Sequence, residues 1–419
     1  MRVAMISYHT CPLATLGGKD TGGMNVYVRD LSRELGRQGI GVDVFTRSQD
    51  EHVPHVLHDL GFGNRVVHIP AGPETPVAKD NLADHLPEFI GNIRAFAESK
   101  GMEYDLIHSH YWLSGLAALE LRRTWDVPIV HMMHTLGLMK NRVARSESER
   151  ATRQRERGEH QLLTEAERIV AATQAELAQF QWLYKVDTKN VVVIPPGVDT
   201  SHFYPIPEDE AKEFVGIPDD KRMILFVGRI EPLKGVDTLI EAAAMLRKKD
   251  VLVEGCECLA IIGGESSEPP EKISEEMARL KGIAKQLGTD DMVTFLGQRD
   301  QDTLQYYYSA SDIVVVPSHY ESFGLVALEA MACGRTVVAS ETGGLAFLIR
   351  DGENGFHVPA ADPRALADKL EMILKDPELR ARVGQSARDY AQSHAWPLIT
   401  KRIVSLYSEV LRAYHPSLA

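Results

Sequence analysis

The sequence predicts an α/β protein built as two doubly wound halves with parallel sheets. Short Val- and Ile-rich runs recur along the chain and alternate with longer helical stretches, the pattern of βαβ units. Many of these runs end in a polar or glycine-bearing turn, where open α/β sheets bind ligands. At 419 residues the chain exceeds one ordinary core, so two domains are expected.

In the first half, Val3–Ser7 reads as a strand that leads through a glycine-bearing loop to Gly22-Gly23. A helix follows from about Met24 to Gly36, with Val28, Leu31 and Leu35 on one stripe. The dinucleotide fingerprint G-x-G-x-x-G is absent, but Gly23 lets a ligand approach the backbone at a helix start. Strands are expected at Val42–Thr46, Val66–Pro70, Leu106–Ser109, Ile129–His134, Ile169–Ala172 and Val191–Pro195. Histidines gather at two strand ends, His108 and His110 on one and His131 and His134 on the next. A metal would call for convergent carboxylates as well, and these turns hold none. Hydrogen bonding in a polar cleft is therefore expected, with His108 and His131 inside their strands. Lys140–Gln161 mixes charges of both signs and reads as a solvated helix, with Arg155 and Glu159 as an i,i+4 pair. One arginine of that segment facing a cleft would suit a phosphate.

Turn formers at Ile194–Asp199 stop the last strand, and Phe203–Asp209, with Pro205 and Pro207, reads as a linker and hinge. The expected domains are 1–198 and 199–396. In the second, strands are expected at Ile224–Gly228, Leu259–Gly263, Val293–Leu296, Ile313–Pro317 and Thr336–Ser340. The first runs into a loop carrying Arg229 and Lys234; the third ends at Gly297-Gln298-Arg299. After Ile313–Pro317, Ser322 is the expected N-cap of a helix with Leu325, Leu328 and Met331 inward, ended by Gly334. Gly343-Gly344 then opens another helix. Glu321 and Glu329 are eight residues apart, just over two helical turns, and so are expected on one side.

Hydrophobic residues make up 44% and charged ones 25%, as in soluble globular proteins. A net charge of −13 argues against nucleic acid and against a polybasic membrane attachment. No apolar run approaches membrane-spanning length, and Met1–Ser7 reads as a strand, not a signal peptide. Cys256 and Cys258 are too close for an ordinary bridge, and with Cys11 and Cys333 they suggest reduced thiols in a cytoplasmic protein. No cysteine–histidine cluster has zinc spacing, so no metal is expected.

The motif E-S-F-G-L-x-x-x-E at 321–329, followed by Gly343-Gly344, resembles the retaining nucleotide-sugar glycosyltransferases of family 4, which have the GT-B fold. The resemblance spans nearly the whole chain. It implies two Rossmann-like domains facing a cleft, with a final helix at 397–419 crossing back to the first. It implies a UDP-sugar donor, carrying glucose or N-acetylglucosamine, on the second domain. Glu321 would contact the donor sugar and Glu329 the ribose; Phe323 would lie against the donor, and Gly324 and Leu325 would give backbone donors to its diphosphate. Gly228, Arg229 and Lys234 would also meet the diphosphate, the cations stabilising its developing charge so that no metal cofactor is required. The base would sit near Gly297 and Arg299. Gly23 would approach the donor, and His134 would lie near its sugar and the reactive centre. Closure about the linker would exclude water, and the leaving phosphate oxygen would take the acceptor's proton in a front-face displacement.

Within the family, Gly22–Tyr27, Ala71-Gly72-Pro73 with Lys79, Tyr104–Gly115 and His134-Thr135-Leu136 with Lys140-Asn141 resemble the branch that glycosylates 1D-myo-inositol 3-phosphate. That resemblance implies an acceptor phosphate held by Lys79, Tyr111, Thr135 and Arg155, and acceptor hydroxyls met by Asn25. The sucrose-phosphate synthases, which use fructose 6-phosphate, are near relatives that usually carry Gln where this chain has Met24. Gly137 stands where Ala is more typical and leans toward them; Glu156 stands where a second basic residue is expected. Two weaker alternatives are a UDP-sugar 2-epimerase and a non-catalytic sugar-nucleotide-binding subunit. Lys79 and Arg155 speak against the first, and Arg229, Lys234, Glu321 and Glu329 against the second. The expected partners are the nucleotide sugar and a small phosphorylated acceptor, without nucleic acid or membrane; a homodimer is one expected assembly.

Overall fold

Val3–Ile6 are all fully buried and form most of β1 (Arg2–Ile6), in the middle of a sheet of eight strands. The computed structural model describes residues 1–14, 22–144, 147, 150–252, 257–264 and 274–415. After β1 come α1 (Gly23–Arg37), β2 (Gly41–Arg47), β3 (Val56–Leu57), β4 (Arg65–Ile69) and a 3-10 helix, Lys79–His85. Then follow α2 (Leu86–Ser99), β5 (Leu106–His110), α3 (Trp112–Trp125), β6 (Ile129–Met132) and α4 (Gly137–Val143). The first sheet ends with α5 (Arg153–Glu165), β7 (Arg168–Ala171), α6 (Gln174–Leu183) and β8 (Val191–Val193). The strand order is β3-β4-β2-β1-β5-β6-β7-β8, parallel throughout except for β3 on β4. The order reverses between β1 and β5, so the carboxyl ends of those strands are where such a sheet takes a ligand.

The second sheet starts after α7 (Glu208–Val215). Its elements are β9 (Arg222–Val227), α8 (Val236–Lys248), β10 (Glu257–Ile262), α9 (Glu275–Leu287), β11 (Val293–Gly297), α10 (Gln301–Ala310) and β12 (Ile313–Val316). They continue with α11 (Leu325–Ala332), β13 (Thr336–Ser340), α12 (Leu345–Leu348), β14 (Phe356–Val358), α13 (Pro363–Lys375) and α14 (Pro377–Gln392). The order is β11-β10-β9-β12-β13-β14, all parallel, and it reverses between β9 and β12.

By its contacts the chain forms two units, one from Met1–Ala14, Gly23–Gly197 and the residues from Trp396 on, the other built on Val198–Ala395. The last helix, α15 (Trp396–Tyr414), thus belongs to the first unit. It buries Trp396, Ile399, Ile403, Leu406, Tyr407 and Val410, a helical stripe. Arg402 donates to the Val193 carbonyl at 2.7 Å, and Tyr407 meets His108 at 2.6 Å. Each unit has its own apolar core, around Phe45, Phe89, Ile107 and Phe180 in the first and Phe226, Leu239, Ile261 and Leu370 in the second.

Four expectations need correction. β6 stops at Met132, because His134 takes a left-handed backbone, φ +60°, that no strand continues. Ser322 does not cap α11: Gly324, at φ +104°, holds that position, and a Cβ there would come within 2.5 Å of Leu345. The residues from Glu321 to Gly324 are therefore not helical, and the helical spacing between Glu321 and Glu329 does not apply. The charged segment is two helices, α4 and α5, and its Arg155–Glu159 pair is buried, not solvated. The edge strand β3 went unpredicted, since two residues carry no period. Cys11 and Cys333 are free thiols; Cys256 lies outside the described residues.

Candidate active site

In the second unit the site is shaped by backbone. β9 and β12 end side by side at the sheet's reversal, and their following loops touch: the His319 N–H donates to the Leu233 carbonyl at 2.8 Å. Gly235, at φ +64°, lies so close under Pro317 that a Cβ would be 2.1 Å from its carbonyl oxygen. Gly263 packs on the Gly228 carbonyl, where a Cβ would be at 1.8 Å. Gly343 and Gly344 press on the turn from below. A Cβ on Gly343 would be 2.0 Å from the Glu321 carbonyl oxygen, which accepts from the Gly344 N–H at 2.8 Å. Four contacts that admit no side chain thus fix the loops that carry Arg229, Lys234 and Glu321.

The side chains on those loops are ready-made charges. Lys234 Nζ donates to Glu321 Oε2 at 2.6 Å, and both remain about one-fifth exposed. Arg229 lies on the same loop as Lys234 and pairs with Glu231 at 2.8 Å. Leu325 opens α11 behind Gly324, so the helix's first N–H groups emerge beside Phe323, which is itself buried. Glu329, one turn into α11, is buried and accepts from the Tyr308 hydroxyl at 2.8 Å. Burial and that carboxylate push the Tyr308 hydroxyl far above the usual tyrosine range. Gly297 ends β11 at φ +74°, and Arg299 turns back to Tyr307 Oη at 2.8 Å and the Gln298 carbonyl at 2.9 Å. Lys234 and Glu321 are thus brought together, whereas Arg299 and Glu329 are each held by a tyrosine of α10.

In the first unit the site is shaped by side chains. Arg155 on α5 donates from Nε to Glu159 Oε1 at 2.7 Å, from Nη1 to Tyr111 Oη at 3.3 Å and from Nη2 to Thr135 Oγ1 at 3.0 Å. Its guanidinium also stands 5.0 Å from the centre of the Tyr111 ring. Tyr111 and Thr135 follow β5 and β6, so three of the expected acceptor residues meet at the carboxyl edge of the sheet. Glu159, fully buried, is the organiser that sequence reasoning missed. Its carboxylate accepts from Arg155, from the Gly137 N–H at 3.0 Å and from the Tyr184 hydroxyl. Burial works against the charge on Arg155, but Glu159 and Tyr111 outweigh it and raise the pKa. Glu156 is committed to Asn141 at 2.7 Å, and Asn141 in turn accepts the Ala151 N–H, so this carboxylate ties α4 to the start of α5. Asn25, on α1, donates to Thr10 Oγ1 at 2.6 Å and the Cys11 carbonyl at 2.7 Å. Lys79 stands exposed on the 3-10 helix after β4 and is not among the partners of Arg155.

Beside this cluster lie the histidines. His108 and His110 of β5 and His131 of β6 are fully buried, and His134, which follows β6, is half-buried. His110 Nδ1 is 2.9 Å from His134 Nε2, and the Ser109 hydroxyl is 2.8 Å from His131 Nδ1. Burial holds His108 and His131 down to about 3 and His110 and His134 well below the ordinary 6.5, so all four are neutral. The Tyr27 ring from α1 stands edge-on to His110, His134 and Trp396. Among the described residues no group of His, Cys, Asp and Glu is placed to hold a metal, and no helix is long and apolar enough to cross a membrane.

Residues 21–202 match the family described as Glycosyltransferase Family 4, and residues 207–390 match Glycosyl transferases group 1. A D-inositol 3-phosphate glycosyltransferase from Actinosynnema mirum is 39% identical, over 97% of this chain and 97% of its own. Another of that name, from Saccharomonospora viridis, is 40% identical over 99% of this chain and 95% of its own. The chain belongs to glycosyltransferase family 4. The solved sucrose-phosphate synthase of Thermosynechococcus elongatus matches this family 4 glycosyltransferase at a TM-score of 0.89, with 35% identity, over 98% of this chain and 99% of that one. The fold is GT-B, and the epimerase and the non-catalytic subunit fall away as readings of the chain.

Proposed function

We propose that the enzyme transfers a hexosyl unit, with retention, from a UDP-sugar held by the second unit to 1D-myo-inositol 3-phosphate held by the first. The observation that carries the acceptor is the Arg155–Tyr111–Thr135 cluster, in a chain about 40% identical over nearly its full length to proteins named for that acceptor. A planar guanidinium with two hydroxyls beside it suits a phosphate, and Glu159 keeps the fork aimed. Lys79 joins from its own helix and Asn25 meets an acceptor hydroxyl. On the donor side, Lys234 and Arg229 meet the diphosphate, Glu321 the sugar, and Glu329 the ribose. Gly23, Gly228, Phe323, Gly324 and Leu325 lie against the donor, and Gly297 and Arg299 border the base. Glu321 is already paired with Lys234, which supports its use as a sugar contact and not as a nucleophile. The leaving phosphate oxygen then takes the acceptor's proton, with no metal cofactor. The enzyme works in the cytoplasm, as a monomer or homodimer.

A second reading, transfer of glucose to fructose 6-phosphate, is favoured by Gly137 and by the likeness to the solved sucrose-phosphate synthase. An acceptor panel with UDP-glucose and UDP-N-acetylglucosamine tests both. UDP release that depends on inositol 3-phosphate is expected. Release only with fructose 6-phosphate selects the second reading, and release with neither overturns both.

A further inference from the structure

We propose that His110 is a positioning residue that fixes His134 in its Nδ1–H tautomer, so that His134 meets the substrate as a hydrogen-bond donor and not as a base. The role in turnover rests on the reading that His134 lies at the donor sugar; the tautomer does not.

The two imidazoles face each other nitrogen to nitrogen at 2.9 Å. Both are neutral, so one must donate and the other accept. The choice is made at the far side of His110. Its Nε2 is buried and has no hydrogen-bond partner among the described residues. A proton there would orphan an N–H in the interior, the rarer and costlier fault; a bare ring nitrogen is the lesser one. The proton of His110 therefore sits on Nδ1 and is donated to His134 Nε2. His134, with Nε2 occupied as an acceptor, carries its own single proton on Nδ1. Among the described residues His134 makes its side-chain hydrogen bond through Nε2, which leaves Nδ1 for a ligand, and the residue is half-buried. Among the described residues the groups that face the pair are neutral rings: the ring of His108 lies 4.3 Å from that of His110, Tyr27 lies 5.1 Å from His134, and His131 and His9 are the other titratable neighbours. His134 itself takes a left-handed backbone, φ +60°, a conformation that a non-glycine residue holds only where its surroundings fix it.

The test is a two-bond proton–nitrogen correlation spectrum of the full-length enzyme labelled with 15N-histidine, without substrate. His134 is assigned from the signals that change in His110→Asn and His110→Ala. The expected result is an Nδ1–H pattern for His134 that does not titrate down to pH 6. An Nε2–H pattern for His134 in the unaltered enzyme overturns the proposal, whatever the substrates are. In turnover, His110→Ala should lower kcat roughly 10- to 100-fold, the size of loss when an orienting partner of a functional histidine is removed, with the donor KM little changed. His110→Asn, whose amide N–H can reach where Nδ1 was, should restore both the tautomer and most of kcat. An Nδ1–H pattern with turnover unchanged in His110→Ala overturns the positioning role alone. Absence of any transfer by the unaltered enzyme marks failure of the functional reading instead.

Discussion

The two units use the same sheet architecture and build their sites in opposite ways. In the second, glycines at Gly235, Gly263, Gly343 and Gly344 bring main chain against main chain, and the charged side chains sit on that frame partly exposed. In the first, the frame is made largely of buried polar side chains: Glu159 ties Arg155, Gly137 and Tyr184, and four neutral histidines line the adjacent carboxyl ends of β5 and β6. A backbone frame tolerates changes of pH and of side-chain length; a buried polar frame depends on every partner and every protonation state. The first site is the more fragile of the two.

The largest expected sign of this is with acid. His108, His110, His131 and His134 have folded pKa values held below the unfolded 6.5, so the unfolded chain binds more protons as pH falls through that value. Stability of the first unit should be lost below about pH 6.5, at about 1.4 kcal/mol per histidine per pH unit, on the order of 5 kcal/mol for all four. Hydrogen exchange at pH 7.5 and pH 5.5 should show β5 and β6 opening while β9 and β12 stay protected; equal opening would remove the contrast. Next, Glu159→Ala should strand a buried guanidinium and cost about 3–5 kcal/mol, read as a fall in Tm. A change within experimental error would mean that Arg155 finds water. On the other side, Lys234→Ala should cut kcat by about 10²–10³-fold while donor affinity falls much less, because the cation meets charge that grows only as the bond breaks. Equal losses in kcat and binding would make it a binding residue only. The smallest effect is expected at Gly137→Ala. The new methyl would lie 3.0 Å from Ala151 Cβ and from Glu159 Oε2, a crowding worth about 1 kcal/mol. The shift should show more in acceptor KM than in Tm, and a change in donor KM would contradict the assignment of sides.

The same contrast explains what could be seen from the sequence. The Val-rich strands and the glycine turns of the second unit are local features, and Lys234, Glu321 and the Gly343-Gly344 pair are recognisable in a short window. Ser322 misled because Ser is a common cap; what decided the turn was the left-handed conformation at Gly324, which the residue type permits but does not announce. In the first unit the decisive partners are distant in the chain. Tyr407 reaches His108 across 299 residues, and Tyr184 reaches Glu159 across 25. Arg155 and Glu159 had the spacing of an ordinary surface pair, and only the fold puts them inside. Tyr308 had no local signal either; its hydroxyl became meaningful once α10 was packed beside Glu329.

The placement of α15 has a consequence for synthesis. Trp396 lies on Gly197 so closely that a Cβ there would be 2.6 Å from its ring, and Tyr407 closes over His108. A nascent polypeptide of 200 residues therefore lacks part of the cover of its own amino-terminal core: Tyr27 lacks Trp396 and His108 lacks Tyr407 until the ribosome has delivered the last helix. The half of the enzyme made first is finished last, and a fragment cut at residue 197 should be held by chaperones where the uncut chain is released.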